Sequence, residues 1–283
     1  MNSIARTITI ILFFLTPCLL CAQTQDTTVT ASSKSKTSFR FGVFGNNHLN
    51  YYGRTDSLRS SGVFPVAELW VDQHYYLTVA PVFIHNSSIN LDYAGTVTSA
   101  GYMFRNKKWA GNTYVVVPIY KDNSQLVQSA LKFQLSSSFS RLTKIISFTL
   151  GADLKYSDQL DYGVTAGLDH LFRFQPANKW VIVLDPTATM NAGTQQFTKT
   201  SYKQSGFLLF PGVQQQVTEA VKNFKILSYE FSMPTVIAHG KFQVILNPAY
   251  VIPQNLVQVA GRPDLSERGQ EMFYITAGIK VIL

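Results

Sequence analysis

Five histidines, His48, His74, His85, His170 and His239, are the side chains of this chain suited to proton transfer near neutral pH. A hydrolytic site would need one of them within hydrogen-bond reach of a serine, with an acid to orient the ring. His48 and His85 stand near Ser60, Ser61, Ser87 and Ser88, with Asp92 as the candidate acid. His74 and His239 fall in short turns, and His170 shares the register of an apolar strand face near its end. Polar segments are commonly rich in serine, so the expectation is a protein that is not an enzyme. There is no Gly-rich phosphate loop, no His-x-x-x-His pair and no spaced cysteine set, so neither a cofactor nor a transition-metal centre is expected. Asp264 and Glu267, in the segment Gly261 to Glu267, read as a solvated loop.

The charges that invite a role lie elsewhere, on the polar faces of alternating segments. They are Arg40, Glu68, Lys132, Asp153, Lys155, Asp169, Arg173, Asp185, Glu230 and Lys280. Both signs occur in nearly equal number, which does not point to strong ion selectivity. The net charge is +8, from 24 Lys and Arg against 16 Asp and Glu, yet charged residues make up only 14% of the chain. Soluble domains carry nearer a quarter. The basic residues are scattered, with no run longer than Lys107-Lys108, so no nucleic-acid partner is expected.

The elements that position these charges are strands. In the last thirteen residues Phe273, Ile275, Ala277, Ile279, Val281 and Leu283 occupy one set of alternate positions, and Tyr274, Thr276, Gly278 and Lys280 the other. Period two puts the sets on opposite faces. The pattern recurs from Ser38 onward, most clearly where Leu131, Phe133, Leu135 and Phe139 alternate with Lys132, Gln134, Ser136 and Ser138. It returns where Phe148, Leu150 and Leu154 alternate with Thr149, Gly151, Asp153 and Lys155. About twelve strands follow from the whole chain. Their connections alternate short (72–74, 105–108, 141–143, 175–178, 239–241) with mostly longer (46–62, 86–90, 121–127, 157–160, 192–223, 254–270). That asymmetry belongs to a membrane barrel, with short turns at one rim and long loops at the other. A soluble barrel shares the period, but here the polar face is rich in Gly, Ser and Thr, and aromatic residues gather near strand ends, as at a bilayer interface.

The first 22 residues read as a signal peptide, with Arg6, the apolar run Ile8 to Leu15, and a cleavage site after Ala22. Both cysteines, Cys18 and Cys21, lie within it. Residues 23–37 read as a disordered leader, and 38–283 as one barrel domain.

With the signal, the alternating strands and the ending Phe-Tyr-Ile-Thr-Ala-Gly-Ile-Lys-Val-Ile-Leu in view, the chain resembles Bacteroidota-type outer-membrane β-barrel proteins. The Ala22-Gln23 junction looks like their signal-peptide ends. The resemblance implies an all-β transmembrane antiparallel barrel in the cell outer membrane, in contact with its lipid and with the barrel-assembly machinery. The expected function is a small porin-like channel or transporter for small polar solutes, its lumen lined by the ten charges named above. A closed structural barrel is the alternative, and a barrel-borne hydrolase a more distant one. In the long connection 192–223, Phe207, Leu208, Leu209 and Phe210 form an apolar run ended by Pro211-Gly212. This run is the expected loop constriction.

Overall fold

Alternation along each strand separates apolar from polar side chains, and closing the sheet into a tube gives each set its own solvent. The computed structural model describes residues 37–55, 58–120, 131–195, 222–258 and 266–283. Among them, counting an interrupted strand once, twelve strands occur. They are β1 (Thr37–Asn46), β2 (Ser61–Val71), β3 (Tyr75–Asn86), β4 (Ile89–Arg105), β5 (Trp109–Tyr120) and β6 (Phe133–Arg141). There follow β7 (Ser147–Tyr156), β8 (Leu160–Asp169 and Phe172–Phe174), β9 (Trp180–Leu184 and Thr187–Gly193) and β10 (Lys225–Ser232 and Thr235–His239). β11 (Phe242–Pro253) and β12 (Met272–Ile282) complete the set. Each strand pairs antiparallel with its chain neighbours, and β12 pairs with β1 (Val43 opposite Ile279), so the sheet closes with no free edge.

The apolar set faces outward. In β1, Phe39, Phe41 and Val43 are 51%, 48% and 54% exposed, whereas Arg40 and Phe44 between and beside them are 8% and 3%. Exposed large apolar residues occur on all twelve strands. Leaving one such side chain in water forgoes roughly 1.5–3 kcal/mol, and a band of this extent far exceeds the patches soluble monomers tolerate. The fold is therefore a transmembrane barrel. Aromatic side chains cluster at both rims of the band. At the short-turn rim Trp109 stacks on Phe139 (4.7 Å), Tyr75 meets Tyr102 (5.1 Å) and Trp180 meets His239 (4.6 Å). His74 and His170 join this girdle, bonding the carbonyls of Met103 and Ile145. At the other rim Tyr250, opposite Phe273, donates its hydroxyl proton to Glu271 (2.6 Å).

The interior is not uniform. One side is packed: Phe44, Val183, Val236 and Ile245 form a buried cluster, Trp70, Tyr76 and Met103 another, and Leu49, Val82, Ile84, Val97 and Val116 a third. Large rings fit there because glycine stands opposite them. Phe44 lies over Gly278, and Tyr76 over Gly101, their direct ladder partners, where a Cβ would strike the ring. The facing side, β6 to β8 with Thr187–Gly193 of β9 and Lys225–Ser232 of β10, presents mainly serine, threonine, asparagine and glycine inward, and it is hollow.

Four details depart from simple alternation. β8, β9 and β10 are each interrupted, at 170–171, 185–186 and 233–234, side by side. Pro186 and Pro234 have no N–H for the ladder, and their carbonyls instead accept from His170 N (3.2 Å) and Asp185 N (2.9 Å). Leu227, in register with lipid-facing residues by sequence, is only 2% exposed, because the β9–β10 register shifts after Asn191 and a bulge turns it inward. The connection at 86–90, expected as a longer loop, is a tight turn. There Asn86 Oδ1 accepts from the N–H groups of Ser88 and Ile89 (2.9 Å each), extending the β3–β4 hairpin. Finally, β1 begins at Thr37, which had been read as the last leader residue. The rest of that leader and the signal segment lie outside the described residues.

Candidate functional site

The hollow side encloses a cavity of about 1200 Å³. Its wall is built from inward positions of adjacent strands. Ser136, Ser138 and Ser140 come from β6, Thr149 and Gly151 from β7, Thr165 and Gly167 from β8, and Thr189 and Asn191 from β9. These side chains are small because the outward alternates carry the bulk, so the wall is both open and hydrogen-bonding. Several hydroxyls bond one another or a neighbouring amide, as Ser140 does to Thr149 (2.7 Å) and Thr165 to Asn191 (2.9 Å).

The cavity runs from the short-turn rim, at Lys107, Lys108 and Leu142 to Lys144, up to Tyr51 and Tyr52, which form its ceiling. Those tyrosines belong to the β1–β2 connection, 47–60, whose described stretch 47–55 folds into the barrel instead of standing above it. Its tip is a two-residue turn: Tyr52 (φ 52°) and Gly53 (φ 77°) both take positive φ, while Tyr51 and Arg54 exchange backbone hydrogen bonds of 2.8 and 2.9 Å. That is the geometry of a type I′ hairpin, for which glycine is favoured. Gly53 also lies against the Pro253 ring, leaving no room for a Cβ.

Arg54 holds the tip in place. Its side chain is 3% exposed, and Nε bonds Glu267 at 3.1 Å. Nη1 donates to the carbonyls of Tyr52 (3.2 Å) and Leu227 (3.1 Å), and Nη2 to the Gln254 carbonyl (2.9 Å) and Gln195 Oε1 (3.4 Å). The Leu227 carbonyl is the one presented by the β10 bulge. A guanidinium is buried at tolerable cost only when its donors are met in this way. Backbone bonds from Thr55 N to Arg268 O (2.9 Å) and Gln270 N to Gly53 O (3.3 Å) tie the loop to the segment before β12.

The ceiling spans the barrel. From β1, β7 is six strands away in a circuit of twelve, and there Lys155 Nζ lies 5.7 and 5.6 Å from the Tyr51 and Tyr52 ring centroids. Lys155 is itself paired with Asp153 at 2.6 Å. Burial pushes both phenols above their ordinary range, outweighing the opposing pull of the Lys155 ammonium, so they stay neutral.

The ten charges named from the sequence fall into three groups. Asp153, Lys155, Asp169, Arg173, Asp185 and Glu230 line the cavity. Arg40, Glu68 and Lys280 are buried together on the packed side: Glu68 accepts from Lys280 (2.7 Å) and Trp70 Nε1 (2.8 Å), and the Arg40 guanidinium lies 4.2 Å from the Trp70 ring centroid. Lys132 precedes β6, is exposed, pairs with Asp158 at 3.1 Å and is not among the cavity-lining residues. Phe207, Leu208, Leu209 and Phe210 lie outside the described residues.

Of the residues weighed for hydrolysis, Ser60 is fully buried and its hydroxyl accepts from Asn86 (3.0 Å). His85 offers its carbonyl, not its ring, to the Ser61 hydroxyl (3.3 Å). Glu267, read as part of a solvated loop, is instead the partner of Arg54 and also accepts from Val257 N (2.9 Å).

Sequence reasoning missed the 47–60 loop and the cations of the short turns. The loop carried a readable signal, since Leu49, Tyr51 and Tyr52 are more apolar than a solvated connection needs, and Tyr52-Gly53 is turn-like.

No family model and no curated protein matches this chain. Solved structures of similar shape include "KdgM porin", at 8% identity and TM-score 0.43 over 86% of this chain and 98% of that one. An outer membrane channel from Pseudomonas putida F1 gives 8% and 0.43, over 92% of this chain and 100% of that one. LpxR from Salmonella typhimurium gives 9% and 0.45, over 86% and 99%. Likenesses this distant assign neither family nor activity.

Proposed function

We propose that the chain is an outer-membrane channel for small polar solutes, narrowed at its outer end by the 47–60 loop. The observation that carries this reading is the hydroxyl-lined cavity of about 1200 Å³ inside a barrel whose exterior is apolar on every strand. A closed barrel needs no such space, because packed side chains could fill it as they do on the side of Phe44 and Trp70. Solutes would enter a water-lined path, and the Tyr51, Tyr52 and Lys155 group would set its narrowest point. The apolar run Phe207 to Phe210, outside the described residues, is proposed from sequence as a second constriction.

Export through a cleaved signal and insertion by the barrel-assembly machinery, with β12 as the closing strand, fit this role. The finer likeness to Bacteroidota-type barrels rests on the Ala22-Gln23 junction and the final strand. The reading is not enzymatic.

One observation favours a rival reading, a closed structural barrel: the ceiling is anchored by a fully satisfied Arg54. Purified protein in a planar lipid bilayer decides between them. The channel predicts discrete, voltage-driven current steps in potassium chloride; a silent bilayer containing folded barrels would favour closure.

A further inference from the structure

The strand positions alone suggested balanced charge, but the turns change the account. Seven basic residues line the cavity against four acidic ones. The basic excess sits at the short-turn end, where Arg105, Lys107, Lys108, Arg141, Lys144 and Arg173 come from three consecutive hairpins. Lys155 is neutralised by Asp153 near the ceiling. Arg105 faces the two carboxylates of this end, Asp169 and Asp185. Among the described residues, no carboxylate lies within ion-pair distance of Lys107, Lys108, Lys144 or Arg173, and Arg141 is engaged only by the Trp109 ring (4.3 Å). Unpaired cations converging on one cavity have a shared electrostatic consequence. A cleft with low-dielectric walls focuses the field of its excess charge and concentrates counter-ions within it. The serine and threonine hydroxyls of the wall add neutral donors above that ring.

We infer that the short-turn half of the cavity is an anion-binding vestibule, so that the solutes this barrel handles are small anions bearing carboxylate or phosphate groups. The inference rests on the channel reading above and names its substrate class. Arg173 is the middle residue of the strand piece Phe172–Phe174, while Lys107, Lys108 and Lys144 lie in the turns themselves, so an anion meets the lysines first and Arg173 next. Guanidinium groups hold carboxylate or phosphate oxygens in paired hydrogen bonds, which a lone ammonium does not. Attraction at this range is screened by salt, with a Debye length of about 10 Å at 0.1 M, so the preference weakens as ionic strength rises.

The test uses the full-length barrel in bilayers of zwitterionic lipid, so that no anionic headgroup competes. Under a potassium chloride gradient at low salt, the reversal potential should report chloride permeability about threefold or more above that of potassium, a field effect of the vestibule. The combined variant Lys107→Gln, Lys108→Gln, Lys144→Gln and Arg173→Gln, all at exposed positions that folding tolerates, should bring the ratio to about one. The pair Lys179→Gln and Lys241→Gln, also on short turns but outside the cavity lining, should leave it unchanged. Current without anion preference overturns the vestibule while the channel stands. Where no current flows, inorganic phosphate binding to the protein in neutral detergent, followed by phosphorus NMR, separates the two. Binding lost in the fourfold variant keeps the vestibule without the channel, and no binding overturns it.

Discussion

Glu68→Gln should lower the unfolding free energy of the barrel by about 3–5 kcal/mol, the usual cost of stripping one partner from a buried ion pair. Glu68 is 8% exposed on β2 and accepts from Lys280 on β12 and from Trp70. It also stands directly opposite Arg40 on β1. Neutralising it leaves two buried cations, Arg40 and Lys280, facing each other across the seam where the last strand meets the first. Glutamine preserves the shape, so the loss is electrostatic. Urea unfolding in micelles, followed by tryptophan fluorescence, measures it. Lys132→Gln is the matched control: it breaks an ion pair whose side chains are 56% and 51% exposed, for which about 0–1 kcal/mol is expected. A Glu68 variant no less stable than this control would show that the seam does not depend on the buried network.

Arg54→Ala should raise single-channel conductance several-fold and expose the 47–60 loop to proteolysis. Four of the arginine's five hydrogen bonds reach four other segments and the fifth its own loop, and no other described side chain of the loop makes these contacts. Its loss leaves Glu267, 7% exposed, as an uncompensated buried carboxylate, which drives the loop tip and the segment before β12 apart. One of these bonds goes to Leu227 on β10, so the unfolding midpoint of the barrel should fall as well, by less than in Glu68→Gln because the released loop lets Glu267 reach water. Conductance that stays constant in a variant whose loop has become protease-sensitive would mean that Tyr51 and Tyr52 do not form the narrow point.

The barrel was legible because its two faces have different solvents. Wherever a strand crosses lipid, Phe41, Leu150 or Ile279 must point out, and their alternates are left to face a partly aqueous interior. Period two then reveals the strands and their two faces, and the small polar residues of one face with the aromatic residues near strand ends tell which face meets lipid. What escaped that logic were places where backbone hydrogen bonding overrides alternation. Pro186 and Pro234 interrupt the ladder, so β9 and β10 each split in two. The bulge at Leu227 reverses one side chain, and its carbonyl accepts from Arg54 as well as from Gln254 N. Neither consequence follows from residue type alone.

The inner surface was less legible than the wall. Arg40, Glu68 and Lys280 share the inward face with Asp153 and Lys155, yet they lie on the packed side, where the Trp70 and Phe44 rings cover Arg40 and Lys280. Which neighbours are large is a question of register across strands, as with Phe44 over Gly278. The loop residues Tyr51 and Arg54 find their partners more than 100 positions away in the chain, at Lys155 and Glu267. No local pattern encodes such contacts. The short-turn lysines look scattered along the chain, since only the closed circuit of strands brings three hairpins to one opening.

The central claim is that water and solute pass through the hollow side of the barrel while lipid covers the outside. Thiol accessibility tests it most directly. With Cys18 and Cys21 changed to serine, a single cysteine is placed either at Ser138, on the cavity wall, or at Leu150, 49% exposed on the apolar exterior. The account predicts that a charged, water-soluble methanethiosulfonate reagent added to barrels conducting in a bilayer reacts at Ser138→Cys and reduces the current, while Leu150→Cys is untouched. Reaction at Leu150→Cys with Ser138→Cys protected would contradict it.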